Sequence, residues 1–341
     1  ITLLHPADIH CLREKPAGIV IIEGAPFSHA MISLLHWGVP TVILNKLEAD
    51  KLSAGTQVLI DGSKGVITTG IAQWNKEDRQ YPQAPVSEQG FHTRDGEPVA
   101  LLTSIRDVEG ARNSVIHGAP AIGLVRTEFL RMEDNSRPAR AFYKRALGEI
   151  CNAAEALPVT VRLLDVSPDK YPPWLPPIQG AKTPLGLQGG RLYETSPVKE
   201  VVKAQLGAIH ELSSRYQLRL IIPFLSQYEE LLHWRDYVRQ HVPRSIPLGA
   251  MIETPSAALD IDRWLKAVDF IAVGCNDLMQ HVFAADRNDP ALKAYLDPYA
   301  PVLFRLFKQM AEAASANLDE VQLCGLFPQF SGIMPALLGL G

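Results

Sequence analysis

From residue 98 onward, short apolar runs alternate with longer stretches whose apolar residues return every three or four positions, the pattern of strand–helix repeats. The runs at 99–105, 122–125, 159–164, 218–225, 248–252, 269–273 and 321–323 predict strands. The stretches between them at 107–117, 139–156, 198–216, 228–240, 257–268 and 301–316 predict helices, and Gly118 stops the first. In 257–268, Ala257, Ile261, Trp264, Leu265 and Val268 share one helical face. Units of this kind set their strands parallel with both faces covered. Seven strands in this rhythm predict an α/β protein built on a (β/α)8 barrel of TIM type rather than an open sheet.

The barrel is one strand short. Residues 332–340 read as a helix, and its Ile333, Leu337, Leu338 and Leu340 are expected to cover the seventh strand, leaving nothing for an eighth. The expectation is a barrel truncated at its C-terminal end. The strands beginning at Val99 and Val321 would then each expose an edge. The chain opens on Ile rather than Met, as a piece of a longer protein would.

Residues 1–70 carry a different pattern and predict a small β/α domain. Runs at 18–23 and 41–44 read as strands, and 58–60 with 65–68 flank an Asp61-Gly62 turn, a hairpin signal. Between the first two strands, Ala30, Ile32, Leu34 and Leu35 line a predicted helix with Ser28 as its N-cap. Residues 71–97 are polar and aperiodic, so a linker is expected there and the barrel domain is taken as 98–341.

Composition adds mainly exclusions. Of 341 residues, 47% are hydrophobic and 21% charged, as in ordinary globular proteins. A net charge of −4 gives no electrostatic case for nucleic acid or an anionic membrane. No apolar run reaches membrane length, and no signal-peptide pattern opens the chain. Cys11, Cys151, Cys275 and Cys324 form no CxxC pair, which favours a reduced, cytoplasmic setting over a disulfide framework.

Candidate chemistry gathers where strands end, the side on which parallel α/β folds bind ligands. Arg126, Arg162, Glu253, Asn276, Asp277 and Cys324 stand at those ends, with Arg287 just beyond. Guanidinium forks suit a phosphate or carboxylate. Glu253 and Asp277, from neighbouring strands, suit Mg²⁺ with room for water and substrate phosphate. A rim cysteine can serve as an acid or a nucleophile. Each residue alone has a plainer explanation, such as a solvated turn, an ion pair or a buried thiol. Their coincidence at one structural landmark does not. His29 would stand in the first turn of its helix, where anions are favoured; a lone histidine there is otherwise a packing residue, as His36, about two turns along, is taken to be.

In order and spacing these segments resemble enzyme I of the phosphoenolpyruvate:sugar phosphotransferase system, within the phosphoenolpyruvate-utilising enzymes, over nearly the whole chain. GAPFSHAMISLLHWGVPTVIL is similar to the family's phosphohistidine segment. GLVRTEFLRM and VTVRLLDVSPDK resemble its first two arginine motifs, GAMIETPSAAL and DFIAVGCNDLMQHVFAADR its metal and substrate segments, and QLCGL, in part, its cysteine segment. The resemblance implies a swivelling phosphohistidine domain before the barrel. It implies Mg²⁺ on Glu253 and Asp277, with phosphoenolpyruvate bound by Arg126, Arg162, Arg191, Arg287 and Asn276. Neutral His29 Nε2 would take the phosphoryl group in line, and Cys324 would protonate the enolpyruvate carbon to give pyruvate. The phosphoryl group would pass on to an HPr-type phosphocarrier protein. In the family a further strand and helix help form a homodimer through the barrel.

Some positions depart from the family's pattern. The third arginine motif reads TPLGLQGGR, with Gln188 where an arginine is expected and Arg191 retained. Leu326 stands where Cys-Gly-Glu has its glutamate, Ser167-Pro168 replaces a glycine pair before Asp169-Lys170, and Pro26-Phe27 precede Ser28-His29. Loss of one arginine at a buried dianion costs about 2 kcal/mol or more. Two alternatives therefore stand beside the phosphotransferase: an ATP-dependent relative such as phosphoenolpyruvate synthase or pyruvate phosphate dikinase, and a regulatory paralogue with weakened catalysis.

Overall fold

Burial follows the periodicity closely enough that most elements sit where the apolar pattern puts them, with two exceptions at 99–105 and 257–268. The computed structural model describes residues 2–3, 16–28, 31–32, 34, 38–70, 91–130, 132, 134, 136–167, 171–181, 183–330 and 332–340. They divide into two units, Ile1–Ala84 with Phe283–Pro298, and Pro85–Val282 with Tyr299–Gly341.

In the first unit, β1 (Thr2–Leu3), β2 (Ile19–Ile22) and β3 (Thr41–Leu44) form a parallel sheet in that order. Ile19, Ile21, Leu34 and Val39 make its core, with Met31 and Ile43 packed on it. Ser28 Oγ accepts from Met31 N at 3.4 Å, the contact expected of an N-cap. His29 and His36 lie outside the described residues. Helix α1 (Lys46–Ala49) starts on an Asn45–Glu48 capping box. β4 (Val58–Asp61) and β5 (Val66–Thr69) are the expected hairpin, and its turn is held by Asp61 Oδ1 accepting from Ser63 N and Lys64 N.

The second unit opens with a correction. The run 99–105 is not one strand. β6 (Phe91–His92) pairs antiparallel with β7 (Pro98–Val99), and the first barrel strand is β8 (Thr103–Ile105). Thr93 Oγ1 accepts from Glu97 N and Thr93 N donates to Glu97 O, which closes a hairpin inside the polar stretch expected to be linker.

The barrel sheet then runs β8, β9 (Ile122–Arg126), β10 (Val159–Arg162), β11 (Leu218–Leu225), β12 (Leu248–Ile252), β13 (Phe270–Gly274) and β14 (Val321–Cys324). All neighbours are parallel. Seven strands were expected and seven form, with β8 and β14 paired on one side only among the described residues. The sheet curls: Leu124, Ile221, Met251, Phe270 and Ala272 meet in one interior cluster with Cys324. Gln322 Nε2 of the seventh strand lies 3.4 Å from Gly123 O of the second.

Helices α2 (Val108–Ile116), α3 (Arg140–Ala153), α4 (Val198–Leu212) and α5 (Tyr228–Arg239) follow the first strands. The helix expected over 257–268 is instead two, α6 (Pro255–Leu259) and α7 (Ile261–Leu265), broken at Asp260. Its inner face is as expected, with Ala257, Ile261, Trp264 and Val268 buried. Next come α8 (Cys275–Phe283), α9 (Pro301–Ala314) and α10 (Ile333–Leu338). Ile333 and Leu337 of α10 are buried and Leu338 exposed; the helix packs on the 3-10 turn Phe327–Gln329. No helix among the described residues is long and apolar enough to cross a membrane.

Candidate active site at the carboxyl ends of the barrel strands

Five strands deliver polar residues at their last position or within the next three. Arg126 and Arg162 end β9 and β10 and pair in register. Glu253 follows β12, while Cys275, Asn276 and Asp277 begin α8 with no loop after β13. Cys324 ends β14, in register with Gly274.

Arg162 is the centre of the charge network. Its guanidinium, 3% exposed, ion-pairs through Nη2 with Glu128 Oε1 and with Asp165 Oδ2 at 2.8 Å. Nη1 stands 3.6 Å from Met251 Sδ and 4.0 Å from Glu253 Oε1. Burial pushes its pKa down, but Asp165, Glu128, Glu253 and Asp277 push it further up, so the cation is secured. Its Nε is buried and has no hydrogen-bond acceptor among the described residues. A buried donor of this kind at a strand end is chemically suited to an anionic oxygen.

Arg126 points to the same locus: its Nε is 3.3 Å from Glu128 Oε1, and its guanidinium carbon lies 5.2 Å from the centre of the Phe129 ring.

The two carboxylates expected to hold metal come from adjacent strands. Register places Ile252 beside Val273, so Glu253 stands next to Gly274. A Cβ on Gly274 would lie 2.6 Å from Glu253 Cγ and 2.8 Å from Oε1, so only glycine leaves the side chain its place. Glu253 Oε2 accepts from Phe224 N at 3.0 Å. That amide is turned inward by a register shift in β11, where Phe224 adopts φ 43°, a costly conformation for a bulky residue. Asp277 lies in the first turn of α8, and its carbonyl accepts from His281 Nδ1 at 2.6 Å. No group of three His, Cys, Asp or Glu side chains forms an ion cage among the described residues. Two carboxylates alone fit Mg²⁺, which characteristically keeps water and substrate oxygens in its other positions.

Asn276 is fixed by the seventh strand. Its Oδ1 accepts from Leu326 N at 3.0 Å, which turns its NH₂ to the other side. Gly325, at φ 108°, allows the approach; a Cβ there would meet Asn276 Oδ1 at 2.9 Å. Leu326, where a glutamate was expected, is itself buried. Cys324 Sγ donates to Val273 O at 3.2 Å and Cys275 Sγ to the same oxygen at 3.5 Å. Desolvation, reinforced by Glu253, pushes the Cys324 thiol up to about 12, so it stays protonated.

Two further expected residues, Arg191 and Arg287, and the departure Gln188 are placed as follows. Arg191 is half-buried, donating to Ser226 Oγ at 2.8 Å and lying over the Phe224 ring at 5.2 Å; it borders the network through Phe224. Gln188 is buried and its Nε2 donates to Pro184 O, so the amide is occupied locally. Arg287 is buried, on the segment Phe283–Pro298 that belongs to the first unit.

Sequence reasoning omitted Glu128, Asp165 and Phe224 from the site. The first two follow Arg126 and Arg162 by two and three residues in RTE and RLLD, a legible signal. The role of Phe224 is carried by its backbone and left no trace in composition.

Residues 82–341 match the family described as PEP-utilising enzyme, PEP-binding domain, and residues 2–65 match PEP-utilising enzyme, mobile domain. The chain belongs to the phosphoenolpyruvate-utilising enzymes. It is 33% identical to the phosphoenolpyruvate-protein phosphotransferase of Streptomyces coelicolor, over 99% of this chain and 62% of that protein. With the Bacillus subtilis protein of the same name it shares 30%, over 99% and 63%. It is 28% identical to multiphosphoryl transfer protein 1 of Escherichia coli, over 95% and 41%. The chain therefore spans less than two thirds of the length of these relatives. As a phosphoenolpyruvate-utilising enzyme, it has its PEP-binding match over the curled sheet and its mobile-domain match over the first unit.

Proposed function

We propose that the chain carries the phosphoenolpyruvate-binding and phosphohistidine parts of a phosphoenolpyruvate-protein phosphotransferase. The observation that carries the reading is the orphan Nε of buried Arg162, beside Arg126 and facing no acceptor among the described residues. In this reading Arg126 and Arg162 take the phosphate, and the Asn276 NH₂ group adds a neutral donor. Glu253 and Asp277 would hold Mg²⁺, which would supply positive charge to offset that of the anionic substrate. His29 of the mobile domain receives the phosphoryl group; positioning and charge stabilisation supply most of the acceleration in such transfers. Cys324, protonated across the working range, then gives its proton to the enolpyruvate carbon, and the phosphoryl group leaves His29 for an HPr-type carrier.

Rapid mixing with phosphoenolpyruvate and Mg²⁺ tests this. One equivalent of pyruvate per chain should appear as a burst and then stop, with continuous release once an HPr-type carrier is added. A burst that instead requires AMP with inorganic phosphate, or AMP with pyrophosphate, for turnover would favour the ATP-dependent relatives. No burst at all would leave the regulatory reading, for which Gln188 and Leu326 are the support.

A further inference from the structure

One side chain in the network has contacts that the binding reading does not use. Glu128 lies in the 3-10 turn Thr127–Phe129, immediately after β9. Its side chain is 3% exposed, yet only one of its oxygens is engaged. Oε1 is shared between Arg126 Nε and Arg162 Nη2. Oε2 is buried without a hydrogen bond among the described residues. An acidic residue buried beside an anion site weakens that site by charge alone, so its presence calls for a geometric reason.

The neighbouring contacts supply one. Thr127 Oγ1 donates to Arg162 O at 2.8 Å, so the same turn grips the backbone and the side chain of Arg162 together. Glu128 and Asp165 both engage Nη2 of Arg162. Among the described residues this leaves Nε without an acceptor and places Nη1 near the Met251 thioether and a Glu253 oxygen at 4.0 Å. On the other guanidinium, Glu128 Oε1 ion-pairs with Arg126 Nε at 3.3 Å without hydrogen-bond geometry, while Phe129 of the same turn lies against its face.

We propose that Glu128 is the positioning residue of the anion site, a single carboxylate oxygen that fixes the orientation of both arginines toward a phosphate. The inference rests on the binding reading above. It assigns to the RTE turn a role in substrate recognition rather than in folding. Glu128 acts through Arg126 and Arg162.

The test uses phospholactate, which carries phosphate and carboxylate without the reactive double bond, in the presence of Mg²⁺. Titration calorimetry gives its affinity, and the Arg162 Nε–H resonance, assigned by its loss in Arg162→Lys, gives a second readout. The wild-type protein should bind phospholactate and shift that resonance. Glu128→Ala should lose at least tenfold in affinity, about 1.4 kcal/mol, and its Arg162 resonance should no longer respond. Glu128→Gln keeps an oxygen near the Oε1 position and should lose less than Glu128→Ala; it also serves if the alanine variant does not fold. Unchanged affinity in both variants would overturn the proposal. So would tighter binding, since the carboxylate would then only offset charge. A wild-type protein that does not bind phospholactate would instead refute the binding reading.

Discussion

Arg162→Met removes the cation around which the site is assembled. In the wild type its guanidinium faces Glu128, Asp165 at 2.8 Å and Glu253 at 4.0 Å, all buried. The methionine fills much of the space and leaves these carboxylates without their common counter-ion. Deleting one partner of a buried ion pair costs about 3–5 kcal/mol, because the remaining charge has lost water and gained nothing. For a domain of this size, with about 2–4 °C per kcal/mol, the melting temperature should fall by roughly 6–20 °C. Arg162→Lys keeps a positive charge but lacks the Nε donor and cannot serve carboxylates and ligand at once. One lost charge-assisted hydrogen bond is worth about 1.5–3 kcal/mol, so phosphoenolpyruvate affinity should drop roughly ten- to a hundredfold with a smaller change in stability. Differential scanning calorimetry and ligand titration on the two variants give both numbers. The reasoning fails if Arg162→Met melts within about 2 °C of wild type, or if Arg162→Lys binds phosphoenolpyruvate as tightly as wild type.

Glu253→Gln and Asp277→Asn should each raise the Mg²⁺ concentration needed for pyruvate release steeply, since each removes a charged ligand; an unchanged Mg²⁺ titration in both excludes this site. Cys324→Ala should lower turnover with little change in Michaelis constant, and equal turnover would remove Cys324 from the proton-transfer step. The raised thiol pKa also has a stability consequence. Unfolded, the thiol ionises near 9, and folded near 12, so its contribution is fully present below pH 9 and is lost as pH rises from about 9 to 12. Denaturation midpoints across that window should fall more in wild type than in Cys324→Ala.

The inner barrel strands were legible because they are runs of apolar residues buried on both faces, as in 248–252 and 218–225, where tertiary context and local pattern agree. Failures came where a local signal was overridden. The run 99–105 looks continuous, but Pro98 and Val99 pair back on Phe91–His92 around the Asp95-Gly96 turn, a hairpin dipeptide hidden in polar sequence. The helix over 257–268 kept its buried face but broke at Asp260, where the backbone leaves helical values. In the site, side chains at strand ends could be read by position, since parallel strands all open to one side. Which groups touch could not. The double use of Glu128 Oε1 and the inward Phe224 amide depend on the curl and register shifts of the sheet, which no spacing in the sequence records.

The proposed function turns on transfer of the phosphoryl group of phosphoenolpyruvate to His29. Incubation of the chain with ³²P-labelled phosphoenolpyruvate and Mg²⁺ measures it directly. The label should be acid-labile and base-stable, map to the peptide containing His29, and vanish in His29→Ala while that variant still binds phosphoenolpyruvate. Undiminished labelling of His29→Ala, or acid-stable label on another residue, would contradict the account.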